Sequence, residues 1–243
     1  MARRNPEGEP SWLTRDWAGI PGWGLVIAGA VLLVAAGIVI GGAGGAAPEP
    51  MTPPVALFIG DSYTAGVGAS DTSHRWASLV AADEGWSEEN YGNGGTGYAT
   101  TAGLEGCGRP RCPDYAGALA EAAADGVDPD IVVIAGGQND TDAWGEDQAA
   151  VEDAIVATYT DARERFADAR IVAVGPSWLG DEAGWEREFD RAVQGAAAAV
   201  GAEYVSLLEP PVLDDDAFAA DDGLHVNDLG HAAIADRVTG AIG

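Results

Sequence analysis

The chain has 243 residues, which is enough for one ordinary domain and a short additional segment. It is 47% hydrophobic, so a sizeable core can be buried and wholesale disorder is excluded. Asp and Glu number 39 against 12 basic residues, which gives a formal net charge of −27. Such an acidic surface repels phosphate backbones, so we expect no nucleic-acid partner.

The first segment of the chain predicts a membrane anchor. Residues 24–40 are apolar and uncharged, and small residues continue the run to 47, so a transmembrane helix over 24–47 is expected. Arginines precede it and an acidic, Pro-rich linker at 48–54 follows, which places residues 1–23 in the cytoplasm and residues 48–243 outside. A cleavable signal peptide is the alternative, because small residues near 43–47 offer a cleavage site. Both interpretations make the domain extracytoplasmic.

Strand-like and helical patterns alternate in the remaining chain. Strands are predicted at 55–60, 130–137, 170–176 and around 204–208, and a weaker strand leads into Asn90. Helices are predicted at 74–85, 146–168, 181–201 and 227–242. This alternation indicates an α/β domain with a parallel, doubly wound sheet, in which ligands bind at the carboxyl ends of the strands.

Three motifs follow predicted strands. GDS at 60–62 places the Ser62 hydroxyl on the turn after the first strand, although Asp and Ser are also common helix caps. GGQND at 136–140 offers the Asn139 amide to a developing oxyanion, and NYGNGG at 90–95 offers a glycine N–H for the same purpose. A plain turn is the alternative role of both glycine-containing motifs.

A fourth motif, DGLH, lies near the end of the chain. Asp222 precedes His225 by three residues, so its carboxylate can orient the imidazole ring and stabilise its charged form. A surface histidine is the alternative. His74 is expected to begin the first helix, and His231 to pack on the last one. Together the four motifs supply the nucleophile, base, acid and oxyanion donors that acyl transfer requires.

These four segments, in this order, resemble the sequence blocks of the SGNH hydrolases, the GDSL-type esterase and lipase family. The resemblance spans residues 55–231 and implies a flavodoxin-like three-layer α/β/α sandwich that hydrolyses carboxylic esters without a metal or another cofactor. It implies Ser62 as nucleophile and first oxyanion donor, with His225 as the base that Asp222 positions. Further donors would be Gly92 and the amide of Asn139. The block that contains Gly92 matches most loosely, so the N–H of residue 94 or 95 is an alternative donor.

The two cysteines predict a small disulfide loop. Cys107 and Cys112 enclose four residues that include Gly and Pro, and an oxidising compartment would favour their pairing. Free thiols are the alternative. No histidine or further cysteine lies nearby, so a metal site is not predicted.

Four aromatic residues near the predicted active edge are candidates for an acyl or sugar pocket: Tyr63, Tyr98, Trp144 and Trp178. A core or lid position is the alternative for each. The domain is compact and has no long apolar insertion, which favours small esters such as short-chain or O-acetyl esters, including acylated envelope saccharides. An O-acyltransferase that acts on envelope sugars and a non-catalytic envelope-binding module are the competing functions. The sequence does not indicate an oligomeric state.

Overall fold

The computed structural model describes residues 52–180 and 184–243, together with the backbone of two short strands, Asp16–Trp17 and Ile20–Pro21. These two strands pair antiparallel. The chain divides into two compact units, Met1–Thr52 and Pro53–Gly243. The predicted anchor at 24–47 lies outside the described residues. Within the part of the chain that is described, no helix combines the length and the hydrophobicity needed to cross a membrane.

A parallel sheet of five strands forms the centre of the second unit. The strands are β1 (Val55–Gly60), β2 (Ser87–Asn90), β3 (Ile131–Ala135), β4 (Arg170–Val174) and β5 (Glu203–Val205). Their spatial order is β2-β1-β3-β4-β5, the order of flavodoxin-like folds. Gly60 lies opposite Ala135, which in turn lies opposite Val174, so the central strands end together at one edge. The predicted parallel sheet is confirmed.

Helices and short 3₁₀ turns connect the strands. The α-helices are α1 (Ser62–Ala65), α2 (Trp76–Glu84), α3 (Leu104–Cys107), α4 (Tyr115–Ala124), α5 (Thr141–Glu146), α6 (Gln148–Arg165), α7 (Trp185–Ala199) and α8 (Asp228–Ile242). The 3₁₀ turns are Thr72–His74, Gln138–Asp140 and Asp216–Phe218. Helix α4 was not among the predicted helices. It begins where the Asp114 carboxylate accepts a hydrogen bond from the Gly117 N–H.

Two hydrophobic clusters sandwich the sheet and complete three layers. Leu57 and Ile59 of β1 pack toward α4, α6 and α7, whereas Ala56 and Phe58 pack toward α2 and α8. Because both faces are covered, the central strands are apolar without alternation, which is why they stand out in the sequence. Burial of each large side chain contributes about 1.5–3 kcal/mol, and this anchors the strand ends that carry the site.

Candidate active site

Ser62 lies at the point where β1 ends and α1 begins. The N-cap of this helix is Asp61, whose Oδ1 accepts a hydrogen bond from the Tyr63 N–H at 2.9 Å. Ser62 is therefore the first helical residue and not the cap. In flavodoxin-like sheets, ligands bind where the strand order reverses, between β1 and β3. Ser62 follows the first of these strands directly.

A buried network under Ser62 joins the ends of β1 and β3. Asp61 accepts a hydrogen bond from Tyr115 Oη at 3.3 Å, and the Gly137 N–H donates to the same hydroxyl at 3.1 Å. Burial raises the pKa of Asp61 from 3.8 to about 6, against the opposing effect of these hydrogen bonds. Gly136 has φ +108°, and a Cβ there would lie 2.2 Å from Asp61 Oδ2, so only glycine fits.

His225 and Asp222 form a hydrogen-bonded pair on the loop before α8. His225 Nδ1 lies 2.6 Å from Asp222 Oδ2, and the other carboxylate oxygen accepts from the N–H groups of Leu224 and His225, both at 2.9 Å. The backbone and side-chain hydrogen bonds from His225 hold the pKa of Asp222 well below its usual range. An ionised Asp222 orients the Nδ1–H and leaves Nε2 as the basic nitrogen.

The Asn139 amide lies in the 3₁₀ turn that follows β3. Its Nδ2 donates to the carbonyl oxygen of Thr96 at 2.9 Å, which leaves the second amide hydrogen for a ligand. The neighbouring Asp140 is fully buried and accepts from the N–H of Tyr98 at 2.7 Å and from Thr100 Oγ1 at 2.7 Å. These bonds attach the loop after β2 to the loop after β3. The two loops are therefore held in a fixed position relative to each other.

Gly92 does not occupy the position that the resemblance implied. Its N–H donates to Asn90 Oδ1 at 2.9 Å, because the Asn90 side chain folds back over the turn. Gly94 and Gly95 instead line the cleft beside Ser62. A Cβ on Gly94 would lie 3.8 Å from Ser62 Cβ. Within residues 52–180 and 184–243, neither of these two N–H groups donates to a protein acceptor, so both are available to a ligand.

The motifs meet in one cleft of about 490 Å³. Its lining includes Ser62, Asn139 and His225, which come from three different segments of the chain. The structure thus brings the predicted nucleophile, amide donor and base into a single concave site. A volume of this size is typical of small-molecule sites.

Comparison with known proteins agrees with this arrangement. Residues 58–233, most of the chain, match the model of the GDSL-like Lipase/Acylhydrolase family. The chain belongs to this family. The GDSL lipase Rv0518 of Mycobacterium tuberculosis is 30% identical over 233 residues, covering 88% of this chain and 94% of that protein. Membership of this family of esterases and lipases supports ester hydrolysis in general, and it confirms the resemblance drawn from the four motifs.

Solved structures share the fold of this GDSL-like chain. TesA superposes with a TM-score of 0.59 at 24% identity, covering 77% of this chain and 97% of its own. A carbohydrate esterase family 2 enzyme of Corynascus thermopiles gives 0.62 at 21% identity, covering 81% and 68%. Est24, a carbohydrate acetylesterase from Sinorhizobium meliloti, gives 0.60 at 16% identity, covering 77% and 97%. At these identities the likeness shows the three-layer fold.

Two of the four predicted pocket aromatics line the GDSL cleft. Tyr63 and Trp178 do so, and Tyr63 Oη also donates to the carbonyl oxygen of Leu224 at 2.9 Å, which ties α1 to the His225 loop. The expectation for Tyr98 and Trp144 is wrong. Both are buried in the core, Tyr98 with its hydroxyl 2.9 Å from that of Tyr159, and Trp144 against the ring of Phe189.

The predicted disulfide between Cys107 and Cys112 is formed. It closes a loop directly after Gly106, which packs on the glycine turn of the cleft: a Cβ on Gly94 would lie only 2.3 Å from the carbonyl oxygen of Gly106. Arg109 of the same loop donates to Asn93 Oδ1 at 3.0 Å. The loop therefore supports the turn that carries the unpaired N–H groups.

Sequence reasoning missed several cleft residues. Gln138 and Ser177 line the cleft after β3 and β4, and Glu105 lines it from α3. The first two follow predicted strands, so the strand-end rule that found Asn139 could also have found them. Glu105 gives no such signal, because it follows no predicted strand.

Proposed function

We propose that the chain is an extracytoplasmic serine esterase that hydrolyses short-chain carboxylic esters, with O-acetyl esters favoured. Its catalytic residues are Ser62, His225 and Asp222. One observation carries the proposal: Ser62, Asn139 and His225 line the same cleft, while Asp222 holds the imidazole through a 2.6 Å hydrogen bond. This is the set of roles that acyl transfer through a serine requires.

Each residue has a defined task in the reaction. His225 Nε2 accepts the Ser62 proton while the hydroxyl oxygen attacks the acyl carbonyl carbon. The oxyanion accepts hydrogen bonds from the Ser62 N–H, the Asn139 amide and the N–H of Gly94 or Gly95. His225 then donates its proton to the leaving alcohol and the acyl-enzyme forms. Water repeats the sequence, releasing the acid and restoring Ser62.

The size of the site supports a short acyl group. The cleft of about 490 Å³ holds a small molecule, and none of the described segments adds a long apolar insertion over it. Carbohydrate esterases are among the proteins with the same fold. Both points favour an acetylated saccharide or another small ester over a long-chain lipid.

The extracytoplasmic location rests on the sequence before the domain and on the cysteines. An apolar stretch at 24–47 follows arginines, and the positive-inside bias would send the domain across the membrane. The Cys107–Cys112 disulfide suits an oxidising compartment. Protease added to intact cells should digest the domain, or the domain should appear in the medium if the segment is cleaved. Protection of the domain until the cells are lysed would contradict the location.

The esterase proposal is tested with the full-length protein, purified in a mild detergent because of its apolar segment. Hydrolysis of nitrophenyl esters from acetate to palmitate is measured for the wild type and Ser62→Ala, with the exposed Ser87→Ala as the matched control. We expect kcat/KM to be highest for the shortest chains, and only Ser62→Ala to abolish turnover. An active Ser62→Ala protein would refute the mechanism, and a preference for palmitate would refute the substrate class.

A further inference from the structure

Two polar side chains on the cleft wall take no part in the proposed reaction. Gln138 Nε2 donates to Ser177 Oγ at 2.9 Å, and both residues line the cleft. Gln138 Oε1 is buried without a hydrogen-bond partner in the described residues. Ser177 is 98% buried, with 2% of its surface exposed, and its Oγ accepts the bond from Gln138.

Not all hydrogen-bond donors and acceptors of Gln138 and Ser177 are used. The Ser177 hydroxyl accepts one bond, and no acceptor for its own hydrogen occurs in the part of the chain that the structure describes. Turning the Gln138 amide by half a turn would exchange its oxygen and nitrogen and still leave one of them unpaired. The pair therefore has one unused donor and one unused acceptor. Gln138 Oε1 has almost no accessible surface, so the half-buried Gln138 side chain must rotate toward the cleft before a ligand can reach it. An alcohol hydroxyl, which both accepts and donates, complements the two.

Trp178 provides an apolar surface next to the pair. The indole is half-buried, lines the cleft and contacts the ring of Trp185 edge-on at a centroid distance of 5.8 Å. Trp185 packs in turn against Phe189, also at 5.8 Å, so the indole is supported by the aromatic core. A pyranose ring has the matching chemistry, with an apolar face of C–H groups and a rim of hydroxyls.

The position of these residues identifies the part of the substrate they would bind. Ser177 and Trp178 follow β4, two strands away from β1 and Ser62, with Asn139 after β3 between them. Neighbouring strands are about 4.8 Å apart, so the two strand ends are separated by about 10 Å. A hexose esterified at the acyl carbon near Ser62 can extend across this distance.

We propose that Gln138, Ser177 and Trp178 form a subsite for the saccharide alcohol of an O-acetylated sugar. The indole stacks on the sugar ring, and one free hydroxyl of the sugar bridges the polar pair after the Gln138 side chain rotates toward the cleft. This inference rests on the proposed esterase function and adds the identity of the alcohol. Only the ester group of the saccharide needs to contact the catalytic residues.

The test compares three acetate esters on the full-length protein: nitrophenyl acetate, cyclohexyl acetate and a mono-O-acetylated methyl glucoside. Cyclohexyl acetate has a ring of the same size without hydroxyls. The wild type should prefer the glucoside to cyclohexyl acetate by about tenfold or more in kcat/KM, because the cyclohexyl ring leaves the polar pair without a hydrogen-bond partner. Preference for the cyclohexyl ester would overturn the subsite while nitrophenyl acetate hydrolysis still supported the esterase.

Variants test whether Ser177 and Trp178 cause the preference for the glucoside. Ser177→Ala and Trp178→Ala should each lower the ratio of glucoside to nitrophenyl acetate kcat/KM by about tenfold, mainly through KM, whereas Trp178→Phe should retain most of it. Leu229→Ala, an exposed substitution outside the cleft, is the control for an unchanged ratio. An unchanged ratio in both alanine variants would overturn the subsite.

A measurement on the wild type keeps the proposal testable if a variant does not fold. Methyl glucoside, the alcohol product, should inhibit nitrophenyl acetate hydrolysis competitively, and cyclohexanol should inhibit it at least about tenfold more weakly. Equal inhibition by the two alcohols would overturn the subsite. Failure to hydrolyse any of the three acetates would instead refute the esterase proposal itself.

Discussion

The two halves of the active site are held in place by different means. The sheet-edge half, with Ser62 and Asn139, rests on two carboxylates that are almost fully buried, Asp61 and Asp140. The loop half, with His225, depends on a carboxylate whose side chain is 50% exposed, Asp222. Asp61 and Asp140 tie strand ends to each other, whereas Asp222 bonds to Leu224 and His225 of its own loop.

The two buried carboxylates thus have a structural role, whereas Asp222 stabilises the charge of the imidazole that accepts the Ser62 proton. Burial raises the pKa of Asp61 to about 6, whereas hydrogen bonds to His225 and Leu224 keep the pKa of Asp222 below its usual range. Asp222 therefore stays charged to a lower pH than Asp61 does, and it can stabilise an imidazolium. The buried carboxylates fix the oxyanion donors before the substrate arrives, so little reorganisation is needed during the reaction.

The largest loss of turnover is expected from a substitution in the loop half of the active site. Asp222→Asn should lower kcat by about 10³–10⁴-fold, because the neutral amide no longer holds the imidazole in the productive tautomer. Steady-state hydrolysis of nitrophenyl acetate measures this. The neighbouring, exposed Asp221→Asn is the matched control and should retain wild-type turnover. Loss of less than tenfold in Asp222→Asn would show that the carboxylate does not position the base.

The second-largest loss of turnover is expected from a substitution in the sheet-edge half of the active site. Asn139→Ala should lower kcat by about 10²–10³-fold with a smaller change in KM, because the amide donor is needed only as the oxyanion develops. Circular dichroism should show that the fold survives loss of the bond to Thr96. Asp142→Ala, an exposed substitution in the following helix, serves as the control. A change confined to KM would contradict the oxyanion role.

The buried Asp61 carboxyl should make the free energy of unfolding depend on pH. Its folded-state pKa of about 6 exceeds the ordinary value of 3.8, so its contribution to stability is present below 3.8 and is lost as the pH rises through 6. Asp61→Asn cannot ionise. Its free energy of unfolding, relative to the wild type, should therefore increase by about 2–3 kcal/mol between pH 4 and pH 8. Denaturant titrations at both pH values measure it, and a constant difference would refute the buried-carboxylate assignment.

The smallest effect concerns the loop that supports the glycine turn. Replacing both cysteines, Cys107→Ser with Cys112→Ser, should lower the free energy of unfolding by about 2 kcal/mol, as expected for so short a loop. A modest fall in kcat should accompany it, because Gly106 packs on Gly94. Reductant should bring the wild type to the level of the double variant and leave the variant unchanged. Identical stability of the two proteins would contradict this role.

The sequence predicted the parts of the site that depend on local order. Ser62 and Asn139 follow apolar strands, and their positions at one edge follow from the parallel sheet. Asp222 and His225 lie three residues apart, so their contact is decided within one turn. The covered faces of the sheet made the strands recognisable as unbroken apolar runs.

Features that depend on side-chain direction could not be predicted in this way. The bond from Gly92 to Asn90 turns that N–H away from the cleft, and nothing in the glycine-rich motif indicates it. Tyr98 and Trp144 follow strand ends in sequence, but packing against α6 and α7 draws them into the core. Helix α4 is Ala-rich, so its apolar stripe is too weak to stand out from the sequence.

Active-site labelling with a fluorophosphonate, followed by mass spectrometry of the peptides, tests the assignment of the nucleophile most directly. We expect a single modified residue, Ser62, with activity lost in proportion to the label. Labelling should be absent in Ser62→Ala and much slower in His225→Ala, because the base activates the hydroxyl. Modification of another serine together with persistent hydrolysis in Ser62→Ala would contradict the assignment of Ser62 as the nucleophile.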